Sequence, residues 1–455
     1  MAMAVRQTHG SGTATGTVLV ATTRAHNAVT MTRKKKIVKP NAHSAENGLT
    51  PFKDQTRHVV KNKSIHRVFK TLLLLCIIFI CLLGTSMFPL TVKYYLPSPL
   101  TGSCPSVMSE MTKGAWITRP LAQNESKQIH DFLIVARSHY GVSASMERPD
   151  KRCGDVGFDG LKSHPALKFR ALCDPLGKIP CCYNNQCVAR SEEDCSCPTC
   201  FDMRQQIHTE YATWKPRDDR CPVKTLAASS SCELLSGSEL YFMGDSYLRQ
   251  MYTMIVMHLT NNYEDSTIRP NESSRKRKMY KGLFQFLNYG LTTNKRVCEG
   301  RTLLKHIEVN LPSHAGTVLP LINSLRSRNR SIILLGQGIH GGYNKEDAWE
   351  HLLKPIAKIY NQTKQEWPKF VWVSPHAHGL LKIPRTYDQS DEKLRLYNEY
   401  INNRLRELNV EVFDTFPFTN GVMAYDGAHY GIGVNMLKIQ IVYNYIEELL
   451  KKGAW

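Results

Sequence analysis

Apolar and polar positions follow a repeating plan from Glu239 to the end of the chain. Short apolar runs predict buried strands, and the longer amphipathic segments between them predict helices. The predicted strands are 239–243, 304–310, 331–338, 369–375 and 410–416. The predicted helices are 247–259, 317–326, 347–362, 391–409 and 434–452. This alternation predicts an α/β domain over residues 233–455, with a parallel sheet covered by helices on both faces.

A different pattern occupies residues 71–92. The run TLLLLCIIFICLLGTSMFPL (71–90) carries no charged residue and is long enough as a helix to cross a bilayer. A secretory signal peptide is disfavoured, because its apolar core is shorter and lies nearer the N-terminus. The segment therefore predicts a transmembrane anchor; a buried core helix is the alternative.

Charge gives the anchor a direction. The chain has a formal net charge of +20, and residues 1–70 hold 13 Lys and Arg against 2 Asp and Glu. We interpret these 70 residues as a disordered basic tail, held in the cytosol by the positive-inside rule. The remainder would lie in the lumen, as in a single-pass type II protein of the Golgi membrane, with the ER or the cell surface as alternatives. Nucleic acid is not expected as a partner there.

Cysteines support an oxidising compartment. Twelve of the 14 cysteines follow the predicted anchor, and ten of them fall in residues 151–232, a segment rich in turn residues. An even number of cysteines in a lumenal chain predicts disulfides. A metal site at CSCPTC (195–200) is the alternative, although the spacings are irregular for zinc. The ten are Cys153, Cys173, Cys181, Cys182, Cys187, Cys195, Cys197, Cys200, Cys221 and Cys232.

Two further features concern the lumenal part. Residues 93–150 are predicted to form a stem with an amphipathic stretch near 129–136, and residues 201–214 are predicted to be helical. N-glycosylation sequons, which suit the same topology, occur at Asn124, Asn271, Asn329 and Asn361.

Candidate chemistry begins at LYFMGDSYLRQMY (240–252). Gly244, Asp245 and Ser246 lie between a predicted strand and a predicted helix. Ligands bind at the carboxyl ends of strands in an open parallel sheet, and a helix N-terminus stabilises a developing oxyanion. Ser246 is thus either a nucleophile or an ordinary helix cap.

A base for that serine is offered by AYDGAHYGIGVNMLKIQ (424–440). Asp426 and His429 are three residues apart on a Gly-rich turn that follows the last predicted strand. This spacing can place a carboxylate beside an imidazole and fix its tautomer. An exposed polar turn that caps the last helix is the alternative for this pair.

The chain resembles the PC-esterase branch of the GDSL/SGNH hydrolase superfamily. The resemblance covers about residues 235–452 and rests on FMGDSYLRQMY, ILLGQGIHGG and YDGAHYGIGVNMLKIQIVYNYI. That branch includes trichome birefringence-like polysaccharide O-acetyltransferases, the catalytic domain of sialic acid O-acetyltransferase, and neurexophilin-and-PC-esterase-domain proteins. The resemblance implies a flavodoxin-like three-layer α/β/α fold with Ser246 as nucleophile, His429 as general acid/base and Asp426 as its orienting carboxylate.

The resemblance also suggests an oxyanion hole and a substrate site, with departures from the superfamily pattern. The usual third block, Gly-x-Asn-Asp, is replaced here by Gly336, Gln337, Gly338, Ile339 and His340, and the Gly-x-His at its end suits the acyl-transferring branch. Candidate oxyanion groups are the Ser246 N–H, Gly290, Gly336, Gln337 and Gly338. Candidate substrate-binding residues are Arg249, His340 and His376.

Other histidines and a basic run allow alternatives. His376 and His378 in SPHAHG, with His340 and His429, could form a metal site, but a serine mechanism needs none, so we expect no metal. The run RKRK (275–278) is either a solvated loop or a dock for an anionic ligand.

Together these features predict a lumenal O-acetyltransferase that acts on carbohydrate hydroxyls through an acyl-serine. No tightly bound cofactor is expected, and acetyl-CoA or another acyl donor would be a co-substrate. The alternatives are a carbohydrate O-acetyl esterase and an inactive glycan- or protein-binding adhesion protein on the same fold.

Overall fold

The computed structural model describes residues 102–138, 142–143, 145–158, 169–268, 271–274, 293–383, 389–424 and 426–455. The predicted basic tail and transmembrane anchor, Gly290 and the run 275–278 lie outside the described residues. No helix in the described part of the chain combines the length and apolarity needed to cross a membrane.

Eleven strands occur in the described residues. They are β1 (Gly114–Ile117), β2 (Cys181–Tyr183), β3 (Gln186–Val188), β4 (Cys200–Phe201), β5 (Thr213–Pro216), β6 (Glu239–Gly244), β7 (Asn294–Val297), β8 (Thr302–Glu308), β9 (Ser331–Gly336), β10 (Lys369–Val373) and β11 (Glu411–Phe413). Six of them form the main sheet in the order β11-β10-β9-β6-β8-β7. Every neighbouring pair in it is parallel except β7 with β8. The α/β architecture is confirmed, and the sheet, predicted to be parallel, is mostly parallel with one antiparallel edge strand.

Helices connect these strands. They are α1 (Val107–Glu110), α2 (Gln123–Ser138), α3 (Ala228–Leu234), α4 (Ser246–Leu259), α5 (Ala315–Ser324), α6 (Lys345–Ala348), α7 (Lys354–Thr363), α8 (Asp391–Glu407) and α9 (Ile432–Lys451). The central strands β6 and β9 are almost wholly buried, as expected for parallel strands covered by other elements. Helix α4 packs against β6 and against α9, which brings the first and last helices of the α/β region together.

The predicted helix 347–362 is interrupted. A five-residue π-turn, Trp349–Leu353, separates α6 from α7, and Pro355 lies in the first turn of α7. Proline has no backbone N–H and its ring crowds the carbonyl four residues earlier, so a regular α-helix cannot run through this point unchanged.

The predicted helix 201–214 is wrong. This stretch ends β4, forms two short 3-10 turns at Met203–Gln205 and Thr209–Tyr211, and then enters β5. Asp202 is the N-cap of the first 3-10 turn, and its side chain accepts the Arg204 backbone N–H. The Trp214 side chain is fixed by tertiary contact instead, with its Nε1 donating to the Met111 carbonyl at 2.8 Å.

The predicted disulfides are confirmed. All twelve cysteines after the predicted anchor are paired: Cys104–Cys221, Cys153–Cys182, Cys173–Cys187, Cys181–Cys195, Cys197–Cys200 and Cys232–Cys298. Two groups of three cysteine sulfurs lie close enough together in the described residues to suggest a metal cluster, but each of these sulfurs forms a disulfide. Four bridges hold the small β2–β4 sheet, and the other two tie residues 221 and 232 to distant parts of the chain.

Much of the predicted stem packs onto the α/β region. Val107 and Met108 belong to its hydrophobic core, and β1 pairs with β5. Trp116 Nε1 donates to the Phe418 carbonyl at 2.8 Å. Residues 102–138 therefore form part of the folded body.

The four sequon asparagines, Asn124, Asn271, Asn329 and Asn361, are all exposed. Their glycosylation stays a prediction.

Candidate active site

Ser246 lies at the junction between β6 and α4. Asp245 is the N-cap of α4, and its Oδ1 accepts the Tyr247 backbone N–H at 2.9 Å. Ser246 is the first helical residue, so its own N–H belongs to the unpaired first turn of the helix. The helix start thus positions the hydroxyl and a backbone N–H group at the carboxyl end of the central strand.

Two glycines make this junction possible. Gly244 has φ +155°, and a Cβ built on it would lie 2.0 Å from the carbonyl oxygen of Gly336 on the neighbouring strand. A Cβ on Gly336 would in turn lie 2.4 Å from the Val373 carbonyl oxygen. The ends of β6, β9 and β10 therefore approach too closely to admit any side chain at these two positions.

Replacing Gly244 with alanine is expected to lower the free energy of unfolding by about 3 kcal/mol or more, because the strands must separate and the backbone is strained. The control is Gly316→Ala on α5, where a Cβ would meet nothing within 4 Å. That variant should be neutral or gain up to about 1 kcal/mol. Denaturant unfolding of the full chain measures both; equal midpoints for the two variants would contradict the steric argument.

Ser246, His429 and Asp426 form a continuous chain of hydrogen bonds. His429 Nε2 lies 2.7 Å from Ser246 Oγ, and His429 Nδ1 lies 2.6 Å from Asp426 Oδ2. A carboxylate can only accept, so Nδ1 carries the proton and Nε2 accepts from the serine hydroxyl. Residues that are 183 positions apart in sequence thus meet in the order that nucleophilic catalysis requires.

The turn that carries the pair is held by its own carboxylate. Asp426 Oδ1 accepts the backbone N–H groups of Ala428, at 2.9 Å, and of His429, at 2.7 Å. Desolvation would raise the pKa of Asp426, but the charge of His429 and these hydrogen bonds outweigh it and lower the pKa to about 2. Asp426 is therefore ionised at neutral pH and able to stabilise a protonated His429.

Asp245 is in a different electrostatic state. It is buried, and burial raises its pKa against the opposing charges of His340, His429 and Arg249. Arg249 lies on α4 one turn after Ser246 and is half-buried, whereas His340 is exposed. Both groups contribute opposing charge at Asp245, and their role in substrate binding stays a prediction.

His376 does not face a substrate site. It is 1% exposed, with Nε2 2.8 Å from the Ala428 carbonyl oxygen and Nδ1 2.9 Å from Lys438 Nζ. The ring stacks on Tyr247 with 3.5 Å between the ring centroids. The prediction that His376 binds substrate is therefore wrong for this structure, because protein groups occupy both ring nitrogens and one face.

His378 also has partners of its own. Its Nε2 lies 2.7 Å from the Tyr343 hydroxyl and its Nδ1 lies 3.2 Å from Asp391 Oδ1. The two histidines of SPHAHG thus contact different elements, which gives the metal-site alternative no shared ligand geometry.

The candidate oxyanion residues lie in different surroundings. The Gln337 side chain is buried and its Nε2 donates to the Tyr397 hydroxyl at 3.3 Å, so its amide is engaged in the core. Gly336 lies at the end of β9 against β10, and Gly338 packs against Tyr343, Pro375 and Tyr397. Gly290 lies outside the described residues. The Ser246 N–H is the donor whose position at the helix start suits the role.

Sequence reasoning missed two residues beside the site, Tyr247 and Lys438. Tyr247 lies between His376 and the edge of His429, with ring centroids 6.0 Å apart for the second pair. Lys438 is 1% exposed on α9. Lys438 is the one charged residue between Ile432 and Ile446, which is the available signal, since buried lysines are rare unless paired.

Comparison with known proteins gave weak matches. No family model and no curated protein matches the chain. Among solved structures, an acetylxylan esterase from Geobacillus stearothermophilus (Axe2) is 14% identical, with 47% of this chain and 95% of that chain covered and a TM-score of 0.28. A carbohydrate acetylesterase from Sinorhizobium meliloti (Est24) is 12% identical, with 47% and 99% covered and a TM-score of 0.28. A likeness at this level does not establish a shared activity.

Proposed function

We propose that this chain is a serine-dependent acyl-transfer enzyme of the SGNH type. The observation that carries the proposal is the hydrogen-bonded series Ser246–His429–Asp426 at the start of α4. If Ser246 were only a helix cap, it would need neither His429 nor Asp426. The order of the parallel strands, with the first strand between the second and the third, also suits a flavodoxin-like sheet, whose ligands bind at the carboxyl ends of the strands.

In the first half-reaction Ser246 Oγ attacks the carbonyl carbon of an acyl donor, and His429 Nε2 takes the hydroxyl proton. Asp426 stabilises the imidazolium that forms. Negative charge develops on the carbonyl oxygen, where the Ser246 N–H and the N-terminal dipole of α4 stabilise it. Collapse of this intermediate transfers the proton from His429 to the leaving group and leaves an acyl-serine.

The second half-reaction reverses these roles. His429 Nε2 removes a proton from an acceptor hydroxyl, whose oxygen attacks the acyl-serine carbonyl carbon. The tetrahedral intermediate collapses with the proton returned to Ser246 Oγ. The acceptor decides the outcome: a sugar hydroxyl yields an O-acyl sugar, whereas water yields a carboxylic acid.

We propose transfer of acetyl groups to carbohydrate hydroxyls in the lumen of the Golgi, from acetyl-CoA or another acyl donor. The resemblance of the 242–252, 333–342 and 425–446 motifs to the PC-esterase branch favours this acceptor class. Six disulfides favour an oxidising compartment. Carbohydrate O-acetyl esterase activity is the second candidate, since the same residues perform both half-reactions.

A fluorophosphonate probe tests the serine mechanism on the purified full chain. The probe forms a phosphonyl ester with an activated serine, so we expect stoichiometric labelling that maps to Ser246. Absence of labelling, under conditions that label a known serine esterase, would favour the inactive adhesion protein over both enzymes.

Transfer and hydrolysis are separated by products. The full chain is incubated with acetyl-CoA and a panel of glycans, and mass spectrometry follows acetylated glycan while an enzymatic assay follows free acetate. Acetylated glycan supports the transferase. Release of free acetate without formation of acetylated glycan supports the esterase.

A further inference from the structure

Lys438 is linked to the active-site turn through one histidine. Its Nζ, buried on α9, lies 2.9 Å from His376 Nδ1, and His376 Nε2 lies 2.8 Å from the carbonyl oxygen of Ala428. Ala428 stands between Asp426 and His429, and its N–H donates to Asp426 Oδ1 at 2.9 Å. The short turn is thus held from both sides, by Asp426 at the N–H and by His376 at the carbonyl.

The directions of these hydrogen bonds follow from chemistry. A carbonyl oxygen only accepts, so His376 Nε2 must carry the proton that it donates to Ala428. In a neutral imidazole Nδ1 then accepts, and the Lys438 amine donates to it. Burial first, and then the charge of Lys438, hold the pKa of His376 well below its ordinary value, which keeps the ring neutral.

We propose that Lys438 is a positioning residue for the catalytic pair: it fixes His376 in the Nε2–H tautomer, and His376 thereby holds the turn that presents His429 to Ser246. Burial at this place is costly for a lysine, and an apolar residue would suit the surrounding core better if no partner needed a donor.

Packing around His376 supports the same role. Tyr247, the residue after the proposed nucleophile, stacks on one face of the ring, and Tyr430, the residue after His429, meets it edge-on at 4.8 Å between centroids. The Tyr430 hydroxyl donates to the Ala377 and Thr419 carbonyls, at 2.9 and 3.0 Å. The histidine therefore lies between the segment that carries the serine and the turn that carries its base.

The polar groups of α9 divide into two sets. Asn435 Nδ2 donates to the Tyr430 and Gly431 carbonyls, and Lys438 contacts His376, so both serve the active-site turn. Asn444 instead exchanges hydrogen bonds with the backbone of Lys224, away from this turn. Asn444 is 4% exposed, which makes Asn444→Leu a matched control for loss of a buried polar group from the same helix.

The first test measures the turn itself in the purified full chain. Hydrogen–deuterium exchange of the amides of Ala428 and His429 should rise in Lys438→Met, which keeps the length of the side chain but has no donor. Asn444→Leu should leave these amides at the wild-type rate. Unchanged exchange in Lys438→Met, or an equal rise in both variants, would overturn the proposal.

The second test, which rests on the proposed function, uses turnover of an activated acetyl ester. We expect Lys438→Met to lower kcat about 100-fold through misplacement of His429, with KM within about twofold of wild type. His376→Gln should retain most of the activity, because its amide can donate to the Ala428 carbonyl without a tautomer to be fixed. His376→Met, which cannot donate, should be as impaired as Lys438→Met.

A double-mutant cycle isolates the tautomer effect. In the His376→Gln background, Lys438→Met should lower kcat about threefold or less, whereas in the wild-type background it should lower kcat about 100-fold. Equal costs in the two backgrounds would show that Lys438 acts only by filling space. If Lys438→Met does not fold, the comparison of His376→Gln with His376→Met decides the question, and equal behaviour of those two counts against it.

The two proposals fail separately. A chain that shows no labelling and no turnover but has faster exchange at Ala428 and His429 in Lys438→Met retains the positioning role and loses the enzyme. If the wild type is labelled normally but Lys438→Met has unchanged exchange and kcat, the serine enzyme is retained and the positioning role of Lys438 is lost.

Discussion

Ser246→Ala will abolish covalent labelling by a fluorophosphonate and lower kcat for acyl transfer about 10⁴-fold or more. The hydroxyl is the atom that His429 contacts at 2.7 Å, and alanine leaves the imidazole with nothing to deprotonate. Some turnover above the uncatalysed rate should persist, because the helix N-terminus can still stabilise the oxyanion. Intact-mass spectrometry after labelling and initial rates with an activated acetyl ester measure the two effects.

The chain contains its own control for this variant. Ser231 Oγ also contacts a histidine, His258 Nε2 at 3.2 Å, but Ser231 is 0% exposed and the other ring nitrogen faces the Tyr263 hydroxyl rather than a carboxylate. The Ser231→Ala variant should therefore show the same fluorophosphonate labelling and the same kcat as wild type. Labelling that survives in Ser246→Ala would assign the nucleophile elsewhere and contradict the proposed mechanism.

Asp426→Asn will lower kcat about 10⁴-fold while the chain stays folded. The amide oxygen can still accept the N–H groups of Ala428 and His429, so the turn is retained. Its NH₂ group, however, faces His429 Nδ1 and forces the ring proton onto Nε2. A protonated Nε2 cannot accept the Ser246 hydroxyl proton, and the labelling rate should fall in parallel with kcat.

Asp391→Asn is the matched control for the carboxylate. Asp391 lies 3.2 Å from His378 Nδ1, but its side chain is 62% exposed and the histidine contacts Tyr343 rather than a serine. We expect kcat within about threefold of wild type. Comparable losses in Asp391→Asn and Asp426→Asn would mean that both act through general stability, and thermal unfolding of the two variants would show it.

Much of the architecture could be predicted because its signals are local. The runs around β6, β9 and β10 are apolar on both faces, and the helices between them have the length and amphipathic pattern of covering helices. The edge strand β7 was missed, since its four residues, NKRV, are mostly accessible and show no apolar run. The sequence of residues 201–214 predicts a helix from local propensity, but the Asp202 cap and the Trp214 contact with Met111 decide the backbone there.

Some residues of the candidate site could likewise be predicted from local sequence signals, whereas others could not. Ser246, Asp426 and His429 are predictable because Ser246 begins a helix directly after a strand and the turn with Asp426 and His429 follows the last strand. The carboxyl ends of parallel strands lie at one edge of a sheet. His376 was assigned to substrate because a histidine after a strand looks the same in sequence whether it faces a cleft or the core. Only its contacts with Ala428, Lys438 and Tyr247 show that it supports the turn from behind.

The sequence by itself determined the alternation of strands and helices, the pairing state of the cysteines and the three residues proposed for catalysis, because periodicity, cysteine number and motif position are properties of neighbouring residues. The tertiary structure alone decided which cysteines pair, how closely His429 approaches Ser246 and what the buried Lys438 contacts. These depend on distances between residues far apart in the chain, such as the 2.7 Å between Ser246 Oγ and His429 Nε2, and such distances exist only after the sheet and its helices have assembled.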